Sequence, residues 1–132
     1  MNLLLIIAAL IEAVAGLALL LIPAVAVSTL LGAALDTATG LAVSRIAGAA
    51  LIALAIACWK AKNERGNSAI GVLEAMSFYN FAAAMVLVYA GIRLDLRSAF
   101  IWPVIVLHLG LGVWCVFTLW SARRKISRSE MT

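Results

Sequence analysis

The chain alternates between long apolar runs and short polar breaks. The first run is Leu3 to Ile22, the second covers about 41–60, the third 69–92 and the fourth 99–121. A hydrocarbon core about 30 Å thick takes roughly 20 helical residues to cross, and every run reaches that length. Lipid offers no partner for backbone N–H and C=O groups, so a spanning segment must satisfy them internally, as a helix does. The pattern predicts an all-α fold, a four-helix transmembrane bundle formed by one domain over residues 1–132.

The polar breaks agree with these limits. Pro23 closes the first run, since a proline cannot continue a helix interior. Asp36, Thr37 and Thr39 offer side-chain caps ahead of the second run. Asn63 to Ser68 reads as a polar turn with Ser68 capping the third helix, and Ser98 is placed to cap the fourth. Pro103 then falls in the opening turns, where a missing N–H matters least. Ala24 to Leu35 is too short to span and reads as a short interfacial helix after the first span. The alternative is a kinked extension of the first helix. Ala13-Val14-Ala15 resembles a signal-peptide cleavage site, but no positive charge precedes it, Glu12 interrupts it, and the apolar run continues past it. The N-terminal run is therefore read as an uncleaved first span.

Composition supports this reading. Hydrophobic residues make up 66% of the chain and charged residues 12%, against about 45–50% and about 25% in soluble domains. Such an excess of apolar surface has to face lipid. The net charge of +4 does not point to nucleic acid, because the basic residues sit at the ends of the runs. Seven of the ten, Lys60, Lys62, Arg65, Arg123, Arg124, Lys125 and Arg128, fall on one side of a four-span chain. Arg45, Arg93 and Arg97 fall on the other. The positive-inside rule then puts both termini in the cytoplasm of a multi-pass membrane protein. Trp59 and Trp120 mark the inner interface, Trp102 and Tyr89 the outer one. Cys58 and Cys115 form no CxxC pair and read as packing thiols. The sequence has one histidine and no cluster with metal-ligand spacing, and a haem would need a second axial ligand from elsewhere. No cofactor and no metal are expected.

The informative residues are the polar ones inside the runs, since charge in the membrane is costly and marks function by default. At 1.5 Å of rise per residue, Glu12 lies about 13 Å from the tail-side end of the first helix, and Tyr79 and Asn80 about 15 Å into the third. His108 lies roughly 9–14 Å into the fourth. All four approach the bilayer midplane. Glu12 shares its helix face with Ala8, Ala9, Ala15 and Gly16, and Asn80 shares its face with Met76, Ser77, Ala83 and Ala84. Gly112 lies one turn from His108. Small residues mark helix contacts in membranes, so the three polar faces are expected to point inward as one intramembrane layer. That layer can lock helix register by hydrogen bonds, relay a proton or cation, bind a polar ligand, or support catalysis. Arg45 snorkels to the headgroups or forms an ion pair with Asp36, Asp95 or Glu12. Glu74 is expected to reach Lys60, Lys62 or the interface.

Glu12 in the first span, Cys58-Trp59 closing the second, Tyr79-Asn80 in the third, and Trp102-Pro103 with His108 in the fourth resemble the small four-span inner-membrane proteins of bacteria. That resemblance covers the whole chain, carries no activity, and implies a bacterial plasma membrane. Glu12 alone is also similar to the essential first-helix glutamate of the small multidrug resistance transporters, which exchange protons for cationic drugs. The rest of the chain departs from that family. The second span has no tyrosine, Phe78-Tyr79-Asn80-Phe81 replaces a glycine-rich stretch, and the tail is basic.

The expected function is non-enzymatic: an accessory or ligand-binding membrane subunit that takes a membrane partner protein, a lipid or a small hydrophobic ligand, or self-associates. The alternative is a small proton-coupled transporter centred on Glu12, and a membrane enzyme acting on a lipid or quinone comes third. The charge asymmetry makes a direct prediction. Reporter fusions at the C-terminus should be active in the cytoplasm, and fusions between Arg93 and Arg97 active outside. An externally active C-terminal reporter would overturn the topology.

Overall fold

The computed structural model of the chain describes residues 1–64 and 67–129, with side chains as far as Arg124. The described residues form α1 (Asn2–Leu21), α2 (Pro23–Leu31), α3 (Ala38–Ala61), α4 (Asn67–Arg93) and α5 (Ile101–Ser129), with short connections and no strand. All but α2 are long and apolar enough to cross a membrane. The chain is thus a multi-pass membrane protein built as a four-helix bundle, and α2 is the short extra helix after the first span. Four crossings put the chain ends and the α3–α4 connection on one face, termed the tail face. The α2 segment and the α4–α5 loop lie on the opposite loop face.

The helix ends show how the sequence punctuates the bundle. Thr37 is the N-cap of α3, its Oγ1 accepting from the Gly40 N–H at 3.1 Å. That cap starts the helix a turn earlier than the apolar run does. Ser68 lies inside the first turn of α4, which begins at Asn67, so it does not cap that helix from outside. Ser98 does not adjoin α5 either. Its Oγ accepts from the Phe100 N–H at 3.2 Å and organises the turn that leads into Ile101. Pro103 falls in the first turn of α5, as expected.

The break between α1 and α2 has a specific repair. Pro23 has no N–H for the carbonyl of Leu19, and Ile22 leaves helical geometry at φ −131° and ψ 54°. The backbone hydrogen bonds run from the Ile22 N–H to Ala18 O and then from the Ala26 N–H to Ile22 O. Arg45 of α3 fills the gap by donating its Nε–H to the carbonyl of Leu20 at 3.3 Å. A cation at a helix C-terminus also opposes the negative end of the helix dipole.

The bundle consists of two antiparallel pairs, α1 with α3 and α4 with α5, each in close contact along its length. The first pair approaches through glycine. A Cβ added at Gly16 would stand 2.8 Å from the carbonyl oxygen of Gly48, and one added at Gly48 would stand 2.7 Å from that of Gly16. The two backbones therefore touch, as small residues permit between membrane helices. The pairs meet towards the tail face in a buried cluster that includes Leu4, Leu5 and Ala8 of α1, Cys58 of α3, Leu73 and Met76 of α4, and Cys115 of α5. Leu10, Val14, Leu17 and Leu21 of α1 are exposed and cover its lipid side.

On the loop face α2 joins the pairs. Gly32 ends α2 in the left-handed conformation at φ 74°, and its open Cα side is packed against the Arg97 carbonyl, where no side chain fits. Ser98 Oγ donates to the Thr29 carbonyl at 2.5 Å. A smaller buried cluster, Ala90, Ile101 and Ile105, with Leu31 packed against it, sits beneath this contact.

The glycine contact predicts an asymmetric substitution series. Gly16→Ala or Gly48→Ala should destabilise the bundle by about 1–3 kcal/mol, because each drives a methyl into facing backbone. Gly110→Ala, which meets nothing within 4 Å, should be neutral or stabilising by up to about 1 kcal/mol from helix propensity. Thermal unfolding in detergent checks both. Equal effects at the three positions would remove the close approach as a source of stability.

Candidate functional site

The intramembrane polar groups are organised around Asn80 in the middle of α4. Its Nδ2 donates to the Met76 carbonyl, one turn back, at 2.8 Å. Asparagine in a helix commonly returns a hydrogen bond to backbone in this way. With Nδ2 so engaged, Oδ1 is the amide's acceptor, and it stands 2.9 Å from Nδ1 of His108 on α5. His108 therefore donates through Nδ1–H. Asn80 is fully buried and His108 nearly so. Each answers the other's polar atoms where lipid and apolar side chains would answer neither.

Tyr79 connects this pair to α1. Its ring meets the His108 ring edge-on, with centroids 5.7 Å apart and planes at 80°. Its hydroxyl faces the carboxyl of Glu12. Glu12 is 1% exposed. Its Oε1 is wholly shielded and has no hydrogen-bond partner among the described residues. Cys58 of α3 is fully buried in the cluster against which Tyr79 packs. The layer thus draws Glu12 from α1, Tyr79 and Asn80 from α4 and His108 from α5. The buried Ala8, Ala9 and Gly16 on the Glu12 face let α1 lie close enough to the other helices to place the carboxyl inside.

The remaining polar residues go elsewhere. Arg45 is exposed and is spent on the α1 terminus through Leu20; among the described residues it forms no ion pair with Asp36, Asp95 or Glu12. Glu74 pairs with Arg123, tying the start of α4 to the end of α5 rather than reaching Lys60 or Lys62. Cys58 and Cys115 are free thiols in one buried cluster. Among the described residues no group of three His, Cys, Asp or Glu side chains could hold a metal ion.

Ser77 is buried on the Asn80 face, as the small-residue spacing predicts. One feature escapes sequence reasoning. The packing of Cys58 into the cluster that Tyr79 covers depends on how α3 is rotated against its neighbours, which no local pattern reports. No protein-family model, curated protein or solved structure matches the chain.

The Asn80–His108 bond predicts a measurable coupling. Asn80→Leu alone should cost about 1–3 kcal/mol by leaving a buried imidazole N–H without its acceptor. Combining it with His108→Leu should return part of that loss, with a coupling of about 1 kcal/mol between the two sites. Strictly additive melting shifts would show that the bond contributes nothing.

Proposed function

We propose that this chain is a non-enzymatic membrane subunit whose polar layer binds a small ligand, with Glu12 as the group that holds it. The observation that carries this reading is the unpartnered Oε1 of Glu12. A layer built only to lock helix register would pair its wholly shielded polar atoms, as Asn80 Oδ1 is paired with His108 Nδ1. An unmet buried acceptor costs about 1–3 kcal/mol. A ligand that brings an N–H donor or a positive charge to Glu12 removes that cost. The Tyr79 hydroxyl faces the carboxyl, and the His108 ring packs edge-on against the Tyr79 ring behind it. A lipophilic amine or quaternary cation fits this chemistry best.

The same oxygen favours a second reading, proton-coupled transport. A midplane carboxyl must be protonated, paired or hydrated, and one without a fixed partner is free to exchange a proton for a cation. The two readings share a first step, competition between proton and ligand at Glu12. They differ in whether the ligand is released on the opposite side. We further propose a bacterial plasma membrane as the location, with both termini in the cytoplasm. The basic tail-face residues support that orientation.

The experiment uses the purified chain in detergent with tetraphenylphosphonium and a series of lipophilic amines as probes. Wild type should bind a member of the series and release protons as it does so. Glu12→Gln should lose binding by at least about tenfold, roughly the 1.4 kcal/mol of one charged contact, with its melting temperature unchanged or raised. Glu12→Leu should melt higher than wild type, since it removes an unmet polar group. If both variants melt lower and no probe binds wild type, Glu12 is a structural lock and the reading fails. Counterflow of the bound probe in proteoliposomes separates transport from simple binding.

A further inference from the structure

A groove runs along the outside of the α1–α3 pair in the half nearest the tail face. Ala9 and Ala13 of α1 and Ala55 of α3 form its floor, Ile52 closes its deep end, and Trp59 and Lys60 stand at its mouth. It holds about 270 Å³. From Ile52 to Lys60 the helix rises about 12 Å, most of the roughly 15 Å depth of one leaflet's hydrocarbon. The small floor residues create the groove, since their large neighbours Leu10 and Ile56 project past them.

The charges at the mouth are uncompensated. Lys60 has no acidic partner among the described residues. Lys62 lies over the Trp59 ring, with Nζ 2.9 Å from its centroid, so a second ammonium flanks the same indole. The neighbouring tail-face cation Arg123, by contrast, is paired with Glu74. An apolar channel one leaflet deep that opens on an indole and free ammonium groups matches one kind of molecule. Its chain fills the channel and its anionic headgroup reaches the lysine.

We propose that the α1–α3 groove is a specific site for an anionic phospholipid, with one acyl chain along Ala9, Ala13 and Ala55 and the phosphate on Lys60. The site opens between α1 and α3, contains none of the polar-layer residues, and does not depend on any ligand at Glu12.

Native mass spectrometry of the detergent-solubilised chain, titrated with phosphatidylglycerol or phosphatidylcholine of identical acyl chains, tests it. Wild type should retain phosphatidylglycerol about fivefold more tightly, the about 1 kcal/mol expected for one surface cation. Lys60→Gln, at an exposed position, should abolish the preference while keeping the fold, whereas Lys60→Arg should retain it. Ala13→Phe should fill the channel and lower retention of both lipids. Arg97→Gln, an equal loss of charge on the loop face, should change neither. Equal retention of the two lipids by wild type, or a preference that survives Lys60→Gln, would overturn the proposal. Unaltered lipid binding in a folded Ala13→Phe variant would do the same.

Discussion

Hydrocarbon supplies neither hydrogen-bond partners nor a hydrophobic drive between helices, and each non-helical feature of this bundle answers that constraint. The clearest instance is the end of α1. Pro23 and Ile22 interrupt the backbone ladder, and the exposed carbonyl of Leu20 is met by an arginine from the next span. The same constraint explains the contact of Gly16 with Gly48. With lipid tails as apolar as leucine, helices associate by dispersion and close approach, which needs surfaces without side chains. On the loop face, the Ser98 hydroxyl and the glycine-terminated α2 satisfy backbone groups of two connecting segments at once.

Within that economy of partners, Glu12 stands apart from the rest of its layer. Asn80 uses its amide N–H on Met76 and its oxygen on His108, and His108 spends its Nδ1–H in return. The Asn80–His108 bond holds α4 against α5. Glu12 is even less exposed than His108, yet it has an oxygen that no described residue answers. The cost of that oxygen is comparable to the net worth of one or two good hydrogen bonds. A hydrophobic residue of similar size would avoid it. Binding or exchange at that oxygen, as proposed, removes the cost.

Much of this arrangement is legible in the sequence, and the rest fails for a consistent reason. Run length and hydropathy fix the spans because a membrane imposes one length scale. Pro23 marks a break, and Thr37 a start, because both act within a turn of their own position. The inward faces of Glu12, Asn80 and His108 follow from the spacing of small residues. Partner choice is a different matter. That Arg45 serves Leu20, that Glu74 takes Arg123 and that Ser98 reaches Thr29 depends on the rotation and height of one helix against another. Several candidates satisfy the sequence equally: Asp36, Asp95 and Glu12 for Arg45, or Lys60 and Lys62 for Glu74. A long side chain sweeps enough volume that only the packed structure chooses among them.

The position of Glu12 relative to the two helix pairs sharpens its meaning. α1 with α3, and α4 with α5, are joined far more extensively within each pair than across the seam between them. The Asn80–His108 bond lies within the second pair. The approach of Glu12 to Tyr79 crosses the seam. It is therefore a polar approach between the two pairs, whose mutual packing is slight beside the packing within each. Towards the tail face, Leu4 and Leu5 hold the pairs together beneath it, and on the loop face α2 bridges them above it. A charge gained or lost at Glu12 acts on the seam between those two attachments, where interactions across apolar surroundings are least screened. The approach of Glu12 to Tyr79 thus lies between those two attachments, where the pairs are least packed against each other.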